Sequence, residues 1–364
     1  MDERLEAVVA NWSARFVAND IDPLDVERTM SRVGSWDDWA DAWEGTADGY
    51  VTRADAAQEA GHHVTAAAFR RRASLILQFG QFVLNDDPGR RRAMHARQAD
   101  LFRRAAPDLD PPATPYHLTT SDGAEVHGYV RRPEGAHGVV LLLPGLESTK
   151  EQFSTFEPYL LERGLATVSV EGPGQGEAHA AHPFRLTPYL RAFAAVRRLV
   201  DAPDGLPNLP VGVPVGVLGT SFGGFLALRC AVADDVVPGL PQPDAVVAIA
   251  GPHTLVPLGD LQPILQEGFV HLTAAADVIE ADGLLADVTL TGHLDRLAAP
   301  TLIVHGDADR VIPVAHADRI ATELDDRAEY DRVPGGSHSC NNHHTTVRPR
   351  VADWLADRLS AASS

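Results

Sequence analysis

Cysteine is nearly absent from this sequence. Only two of the 364 residues are cysteine, Cys230 and Cys340, so no framework of disulfides can hold a chain of this size together. We therefore expect a protein of the reducing cytoplasm. The first residues, "MDERLEAVVANW", are acidic and contain no uninterrupted apolar stretch, which predicts neither a signal peptide nor a membrane anchor.

Positive charge is also scarce. Lys and Arg number 31 against 50 Asp and Glu, which gives a formal net charge of -19. This charge repels phosphate backbones and anionic lipid surfaces, so we expect no nucleic acid and no membrane among the partners. The hydrophobic content of 45% and charged content of 22% are ordinary for a globular protein. The length allows one large domain and a smaller one.

The N-terminal part of the chain has helical patterns and few strand patterns. Trp36, Trp39 and Trp43 fall at i, i+3 and i+7, on one face of a predicted helix. Further helical patterns follow, with a break at Gly61, before the Pro-rich linker "APDLDPPATP". We predict a helical domain with its linker over residues 1–112. Its tryptophans either line a binding pocket or form the core of this domain.

Strand patterns dominate after the linker. "YHLTT" and "AEVHGYVRR" flank "SDG", which predicts a hairpin. Short, unalternating apolar runs follow, typical of strands buried on both faces: "GVVLLLPG", "LATVSVEG", "VPVGVLGT", "DAVVAIAG" and "PTLIVHG". Because most are separated by stretches long enough for helices, we predict an α/β domain with a mostly parallel sheet over residues 113–364. A long interval at about 252–298 predicts an excursion of short helices.

The stretch "GTSFGG", residues 219–224, carries a candidate nucleophile. Ser221 lies in a G-x-S-x-G motif between a predicted strand and a predicted helix, which is the context of a nucleophile elbow. The glycines allow the sharp turn that exposes the hydroxyl. A serine is a poor nucleophile until a base takes its proton, so the motif predicts an acid and then a histidine further along the chain.

Both partners occur in that order. Asp309 follows the predicted strand "TLIVHG", and His338 lies in the loop "VPGGSHSC" after the predicted strand "AEYDRV". We predict that Asp309 orients His338 and that His338 is the base for Ser221. Asp307 is the alternative acid, although an Asp at this place often braces a turn.

A tetrahedral oxyanion needs two hydrogen-bond donors. We predict the amide of Phe222, directly after the nucleophile, and the amide of Leu146 in the loop "LLLPGLESTKEQF", with Glu147 as the alternative. Glu147 is also a candidate for the pocket wall. Cys340, two residues after His338, is expected to pack in the interior or to line the pocket.

Other motifs do not predict a cofactor or a metal. "EGPGQGEAH", residues 171–179, resembles a phosphate loop, but its spacing matches no nucleotide-binding fingerprint, so we expect a tight loop at the mouth of the site. The histidine pairs at 62–63 and 343–344 lack a set of cysteines or carboxylates that would complete a site.

The serine elbow and the loops of Asp309 and His338 resemble those of the α/β-hydrolase superfamily, across roughly residues 113–364. "PGLESTKEQF", "EGPGQGE", "GGSHSCNN" and "VRPRVADWLADRL" are similar to the branch that holds 2,6-dihydroxypseudooxynicotine hydrolase, the fermentation-respiration switch proteins and fungal polyketide-shortening hydrolases. The helical region also resembles the N-terminal domain of that branch. The resemblance implies an α/β-hydrolase fold with an N-terminal all-helical cap domain.

The resemblance also implies a function. Its leading form is a serine hydrolase that cleaves a carbon–carbon bond in a 1,3-diketone or acyl-phenol through an acyl-enzyme, with a small-molecule substrate and a homodimeric assembly. The alternatives are a carboxylesterase or acyltransferase on small-molecule esters, and a non-catalytic regulatory binding protein. Some members use an additional acid after the sixth strand. Asp260 and Glu267 lie there, and the sequence singles out neither.

Overall fold

The chain before residue 113 is helical. The computed structural model describes residues 3–179, 181–202, 205–207, 209–255 and 257–362. The helices in this part are α1 (Glu3–Ala18), α2 (Pro23–Met30), α3 (Trp39–Glu59), α4 (His63–Gln81) and α5 (Pro88–Ala105). The predicted break falls between α3 and α4, where Gly61 has a φ of +78°, a conformation that favours glycine.

Aromatic side chains fill the interior of these helices. Trp39 and Trp43 are 0% exposed and Trp36 is 8% exposed. The ring of Trp43 packs edge-on against that of Phe16, with 5.1 Å between the centroids, and the Trp36 ring stacks on the Trp39 ring at 5.5 Å. Trp39 and Trp43 therefore lie on the face that α3 turns toward the other helices, whereas Trp36 lies in the short 3-10 turn Trp36–Asp38 before α3 and not on the same helix as predicted.

A single sheet of eight strands follows. Its order is β1-β2-β4-β3-β5-β6-β7-β8. The strands are β1 (Ala113–Thr119), β2 (Glu125–Arg131), β3 (Gly138–Leu143), β4 (Leu165–Ser169), β5 (Val215–Thr220), β6 (Ala245–Ile249), β7 (Thr301–Gly306) and β8 (Ala328–Val333). The predicted hairpin is β1 and β2, and β3 to β8 are parallel. Because parallel strands end at one edge, their carboxyl ends bring distant loops together.

Helices cover both faces of the sheet. They are α6 (Glu157–Leu161), α7 (Leu186–Asp201), α8 (Phe222–Ala231), α9 (Pro263–Thr273), α10 (Val278–Leu284), α11 (Ala315–Leu324) and α12 (His344–Ala362). Helices α9 and α10 lie in the long interval between β6 and β7. Ile264 and Leu265 of α9 pack into the core of the N-terminal helices. The predicted boundary between the two domains at residue 112 stays a prediction. None of the described helices is long and apolar enough to cross a membrane.

Candidate active site

Ser221 lies at the turn between β5 and α8, as the motif predicts. Its backbone has φ 58° and ψ -128°, a conformation that side-chain-bearing residues rarely adopt. A Cβ added at Gly219 would lie 1.8 Å from the carbonyl oxygen of Gly223, and one at Gly223 would lie 2.1 Å from that of Leu143. The two glycines therefore permit the close backbone approach on which the turn depends.

The structure brings the three predicted side chains together. Nε2 of His338 lies 2.8 Å from Oγ of Ser221, and Nδ1 of His338 lies 2.8 Å from Oδ2 of Asp309. The side chain of His338 is 7% exposed and that of Asp309 is 0% exposed. The hydroxyl, imidazole and carboxylate thus form one continuous hydrogen-bonded chain, sheltered from solvent.

Asp309 is held as an anion in this interior. Burial opposes its ionisation, but the adjacent His338 and hydrogen bonds from His305, His338 and the Ile312 amide hold the pKa of Asp309 well below its ordinary value. Its Oδ1 accepts from the amides of Val311 and Ile312 at 2.8 and 2.9 Å. The loop after β7 therefore supplies the donors that keep this carboxylate charged and fixed.

Asp307, the alternative acid, braces the turn instead. Its Oδ1 accepts a hydrogen bond from the Gly335 amide at 2.7 Å. The same two loops touch through their backbones, since a Cβ on Gly306 would lie 2.1 Å from the carbonyl oxygen of Gly336. This contact brings the loop of Asp309 onto the loop of His338.

The loop after β3 packs directly against the nucleophile. A Cβ at Gly145 would lie 3.0 Å from the carbonyl oxygen of Thr220 and 3.1 Å from Cβ of Ser221. The next residue, Leu146, lines a cavity together with Ser221 and Phe222. Both residues with predicted oxyanion donors thus line the same cavity as Ser221, and their role as donors stays a prediction.

Two cavities meet at Ser221. The larger has a volume of about 390 Å³ and mostly apolar walls, which include Phe222, Leu255, Leu261, Leu265, Phe269 and Ile312. The smaller, of about 60 Å³, has a mixed wall. Besides Ser221, His338 and Glu147 it includes the polar side chains of Arg15, Asn19, Ser148, Gln152, Asn341 and Arg348 and apolar ones such as Phe153, Phe156 and Val347. Of the two acids left open, Asp260 lines the larger cavity, whereas Glu267 forms an ion pair with Arg4 at 2.5 Å.

Glu147 lies in the wall of both cavities, the place expected of a pocket residue. Its carbonyl oxygen accepts a hydrogen bond from Nε2 of Gln78 at 2.5 Å. Burial raises the pKa of the Glu147 carboxyl, while the charges of Arg15, His338 and Arg91 oppose that rise. Among the described residues, no group donates a hydrogen bond to its buried Oε1.

The pocket role predicted for Trp36, Trp39 and Trp43 is wrong. Their indoles belong to the core of the N-terminal helices and are absent from the walls of both cavities at Ser221. The three indoles are buried among side chains of the other N-terminal helices. For Cys340, packing is the role that applies: the residue is 0% exposed, and burial raises the pKa of its thiol to about 12.

A buried charge cluster behind the loop of Leu146 was not predicted. Nζ of Lys150 lies 2.7 Å from Glu151, 2.9 Å from Glu171 and 2.8 Å from Glu177. Glu171 and Glu177 come from "EGPGQGEAH", so this loop fixes the loop after β3 instead of binding phosphate. Burial and the neighbouring Glu151 raise the pKa of Glu171 to about 7, although Lys150 opposes the rise.

Among the residues that the structure describes, there are two clusters that each contain three potential metal ligands within 4.8 Å of one another. They are His117, Glu125 and His127 on the β1–β2 hairpin, and His95, Glu151 and Glu171. In the second cluster both carboxylates already pair with Lys150. The absence of a metal stays a prediction.

A family model described as the Alpha/beta hydrolase family matches residues 139–353. The chain belongs to this family. This alpha/beta hydrolase is 34% identical over 335 residues to the 2,6-dihydropseudooxynicotine hydrolase of Paenarthrobacter nicotinovorans. The aligned region covers 89% of this chain and 85% of that relative. The crystal structure of 2,6-dihydroxy-pseudo-oxynicotine hydrolase superposes with a TM-score of 0.85 and 31% identity, over 97% of each chain.

A fungal relative of this alpha/beta hydrolase is more distant. The 20-hydroxy-prefusarin hydrolase FUS2 of Gibberella moniliformis is 26% identical over 217 residues, which are 56% of this chain and 52% of that protein. These likenesses confirm the predicted fold, the predicted superfamily and the predicted branch. The chain is an enzyme, a hydrolase.

Proposed function

We propose that this alpha/beta hydrolase is a serine hydrolase that works through an acyl-enzyme. The observation that carries the proposal is the pair of 2.8 Å contacts that join Asp309 to His338 and His338 to Ser221. In this role His338 takes the proton of the Ser221 hydroxyl as it attacks a substrate carbonyl. Asp309 holds the imidazole in the tautomer that can accept this proton and stabilises the imidazolium that forms.

The rest of the cycle follows from the same geometry. The amides of Phe222 and Leu146 receive the negative oxygen of the tetrahedral intermediate. The imidazolium of His338 then protonates the leaving group, and the acyl group stays on Ser221. A water molecule, deprotonated by His338, attacks the acyl-enzyme and releases a carboxylic acid.

The substrate that we propose is a 1,3-diketone or an acyl-phenol, cleaved at a carbon–carbon bond. In such compounds the departing carbon is stabilised as an enolate or by an aromatic ring, so hydrolysis is feasible without a heteroatom leaving group. The mostly apolar cavity of about 390 Å³ suits the body of such a molecule. The likeness to a hydrolase of 2,6-dihydropseudooxynicotine supports this class.

The alternatives differ in the bond cut or in the acceptor. A triad of this kind can also hydrolyse small-molecule esters, and an alcohol in place of water would make the protein an acyltransferase. A non-catalytic regulatory role is weaker, because binding alone requires neither the strained backbone of Ser221 nor its hydrogen bond to the pair formed by His338 and Asp309. A cytoplasmic location and a homodimer stay predictions.

Active-site labelling and a substrate panel test the proposal. A fluorophosphonate should label Ser221, and Ser221→Ala should lower kcat on the order of 10⁶-fold, as removal of a triad nucleophile does. The control is Ser31→Ala, which removes an exposed hydroxyl at the end of α2. Wild-type protein that stays unlabelled, together with a Ser221→Ala variant that keeps its turnover, would show the mechanism to be wrong.

The panel compares aryl esters, 1,3-diketones and acylated phenols, with and without added alcohols. A higher kcat/KM for the diketones or acyl-phenols supports carbon–carbon cleavage, and activity on esters alone supports the carboxylesterase. Ester formation from an added alcohol identifies acyl transfer.

A further inference from the structure

Two buried arginines line the small cavity beside Ser221. Arg15 of α1 is 7% exposed, and Arg348 of α12 is 9% exposed. Both line the cavity that also includes Ser221 and His338. Among the described residues, no Asp or Glu oxygen lies within 4.0 Å of either guanidinium. Burial without a counter-charge is unusual for arginine.

Neutral groups alone hold these guanidinium ions. Nη2 of Arg15 donates to Oγ of Ser148 at 2.8 Å and to Oε1 of Gln152 at 2.9 Å. Nη1 of Arg348 donates to the carbonyl oxygen of Thr155 at 2.9 Å. Such bonds hold the two side chains in place but do not neutralise their charge.

Other buried arginines of this chain are neutralised. Arg131 lies 2.9 Å from Glu157, and Arg229 lies 2.7 Å from Asp235. In contrast, burial lowers the pKa of Arg348 to about 10, so it is still protonated at neutral pH. Burial also lowers the pKa of Arg15, and only the charge of Glu147 opposes this shift. The wall of the small cavity therefore combines two guanidinium ions with one carboxyl group, that of Glu147, whose pKa is raised by burial, so positive charge exceeds negative charge there.

We propose that this cavity binds a carboxylate of the substrate and that the substrate is an acidic 1,3-dicarbonyl compound. The inference rests on the proposed function, because it places the carboxylate next to the carbonyl that Ser221 attacks. Arginine suits this ligand, since its planar donors match the two oxygens of a carboxylate. A cavity of about 60 Å³ admits a fragment of a few heavy atoms, whereas the larger apolar cavity admits the rest.

The position of His338 orients the substrate. His338 lines the small cationic cavity and, among the described residues, is not part of the wall of the apolar one. Because the imidazolium must reach the group that departs, the fragment in the cationic cavity is the leaving group. The acyl fragment then occupies the apolar cavity. These placements describe a 2,4-dioxo acid, R–CO–CH2–CO–COO⁻, with R in the apolar cavity.

The reaction balances without a further reactant besides water. Oγ of Ser221 bonds to C4, the bond between C3 and C4 breaks, and its electron pair remains on C3 as the enolate of pyruvate. The proton that His338 took from Ser221 passes to C3. Water then hydrolyses the acyl-enzyme, so that R–CO–CH2–CO–COO⁻ and H2O give R–COO⁻, pyruvate and H⁺. Arg15 and Arg348 stabilise the additional negative charge of the departing enolate.

A matched substrate pair tests the cationic cavity. 4-Phenyl-2,4-dioxobutanoate and neutral 1-phenylbutane-1,3-dione both release benzoate, so one chromatographic assay measures both. We expect a kcat/KM at least about 100-fold higher for the acid. Arg15→Gln and Arg348→Gln should each lower kcat/KM for the acid by about 10- to 100-fold, the effect of a lost bond to a charged group, and should lower kcat/KM for the neutral diketone by a smaller factor.

The control is Arg71→Gln, which removes a charge paired with Asp20 outside the two cavities and should change neither rate. Arg15→Lys and Arg348→Lys should restore part of the preference for the acid. Equal rates for the two substrates in the wild type, or equal losses on both substrates in the Gln variants, would overturn the inference while the proposed serine mechanism stands.

A binding measurement separates this inference from the proposed function. Calorimetric titration with oxalate requires no turnover, and we expect binding to the wild type and to Ser221→Ala. Arg15→Gln and Arg348→Gln should bind oxalate at least tenfold more weakly. Wild-type protein that does not bind oxalate, or Gln variants that bind it equally well, would refute the anion site whether or not Ser221 is reactive.

Discussion

Replacement of Asp309 by asparagine should change the tautomer of His338 while it keeps the hydrogen bonds that hold the loop of Asp309. In Asp309→Asn the amide oxygen can still accept from the amides of Val311 and Ile312, which bond the carboxylate at 2.8 and 2.9 Å. The amide nitrogen then faces Nδ1 of His338. Because this nitrogen is a donor, Nδ1 must become an acceptor, and the ring proton moves to Nε2. That tautomer cannot take the proton of Ser221.

The expected loss in kcat is about 10⁴-fold, the size of effect seen when the wrong tautomer is enforced in a catalytic triad. This corresponds to about 5 kcal/mol of transition-state stabilisation. The loss should be this large because the Asp309 side chain is 0% exposed, so water does not screen its interaction with the imidazolium. The fold should persist, since the loop keeps both backbone hydrogen bonds.

The assay is kcat on an aryl ester or diketone that the wild type hydrolyses, with a thermal melt of each variant. Asp307→Asn is the matched control, because the new amide oxygen can still accept from the Gly335 amide, and it should keep wild-type kcat. An Asp309→Asn variant that melts like the wild type and retains kcat within tenfold of it would refute the assigned role of Asp309.

Two further predictions concern stability. Trp43→Ala should lower the free energy of unfolding by about 3–5 kcal/mol, because it opens a cavity in the helical core, and it should leave KM unchanged. Urea denaturation measures the first effect and steady-state kinetics the second. A changed KM at unchanged stability would contradict the prediction. Glu171 has a pKa raised from 4.5 to about 7, so the folded state binds its proton more tightly than the unfolded state. Its contribution to stability is therefore lost as pH rises from about 4.5 through 7. Thermal melts should show this decline, and Glu171→Gln should flatten it; an equally steep decline in the variant would rule out this assignment.

Local sequence signals located the three side chains that the structure brings together. Glycine spacing marks the turn of Ser221, and the apolar run before Asp309 marks a buried strand. Parallel strands end at one edge of the sheet, so the order of these residues along the chain was enough to predict their convergence with His338. Their catalytic roles stay proposals, but their proximity required no knowledge of the packing of the helices.

Features that depend on how helices dock could not be predicted. The spacing of Trp39 and Trp43 indicates one helix face, but it does not reveal whether other helices or a ligand cover that face. Arg15 has the sequence surroundings of an ordinary solvated arginine, and its partners Ser148 and Gln152 lie more than a hundred positions away. Lys150 likewise has the sequence surroundings of a surface lysine. The structure shows instead that it forms ion pairs with three glutamates from two loops.

The place of Arg15 on the first helix divides the work of the enzyme between two stretches of the chain. The strands and loops after residue 113 supply the proposed nucleophile and base, whereas α1 supplies half of the charge that would select an acidic substrate. Selectivity can therefore drift in evolution, or be engineered, by exchange of a short N-terminal segment while the reaction chemistry is inherited unchanged. In the proposed mechanism, a residue that selects the substrate thus lies more than two hundred residues before the nucleophile.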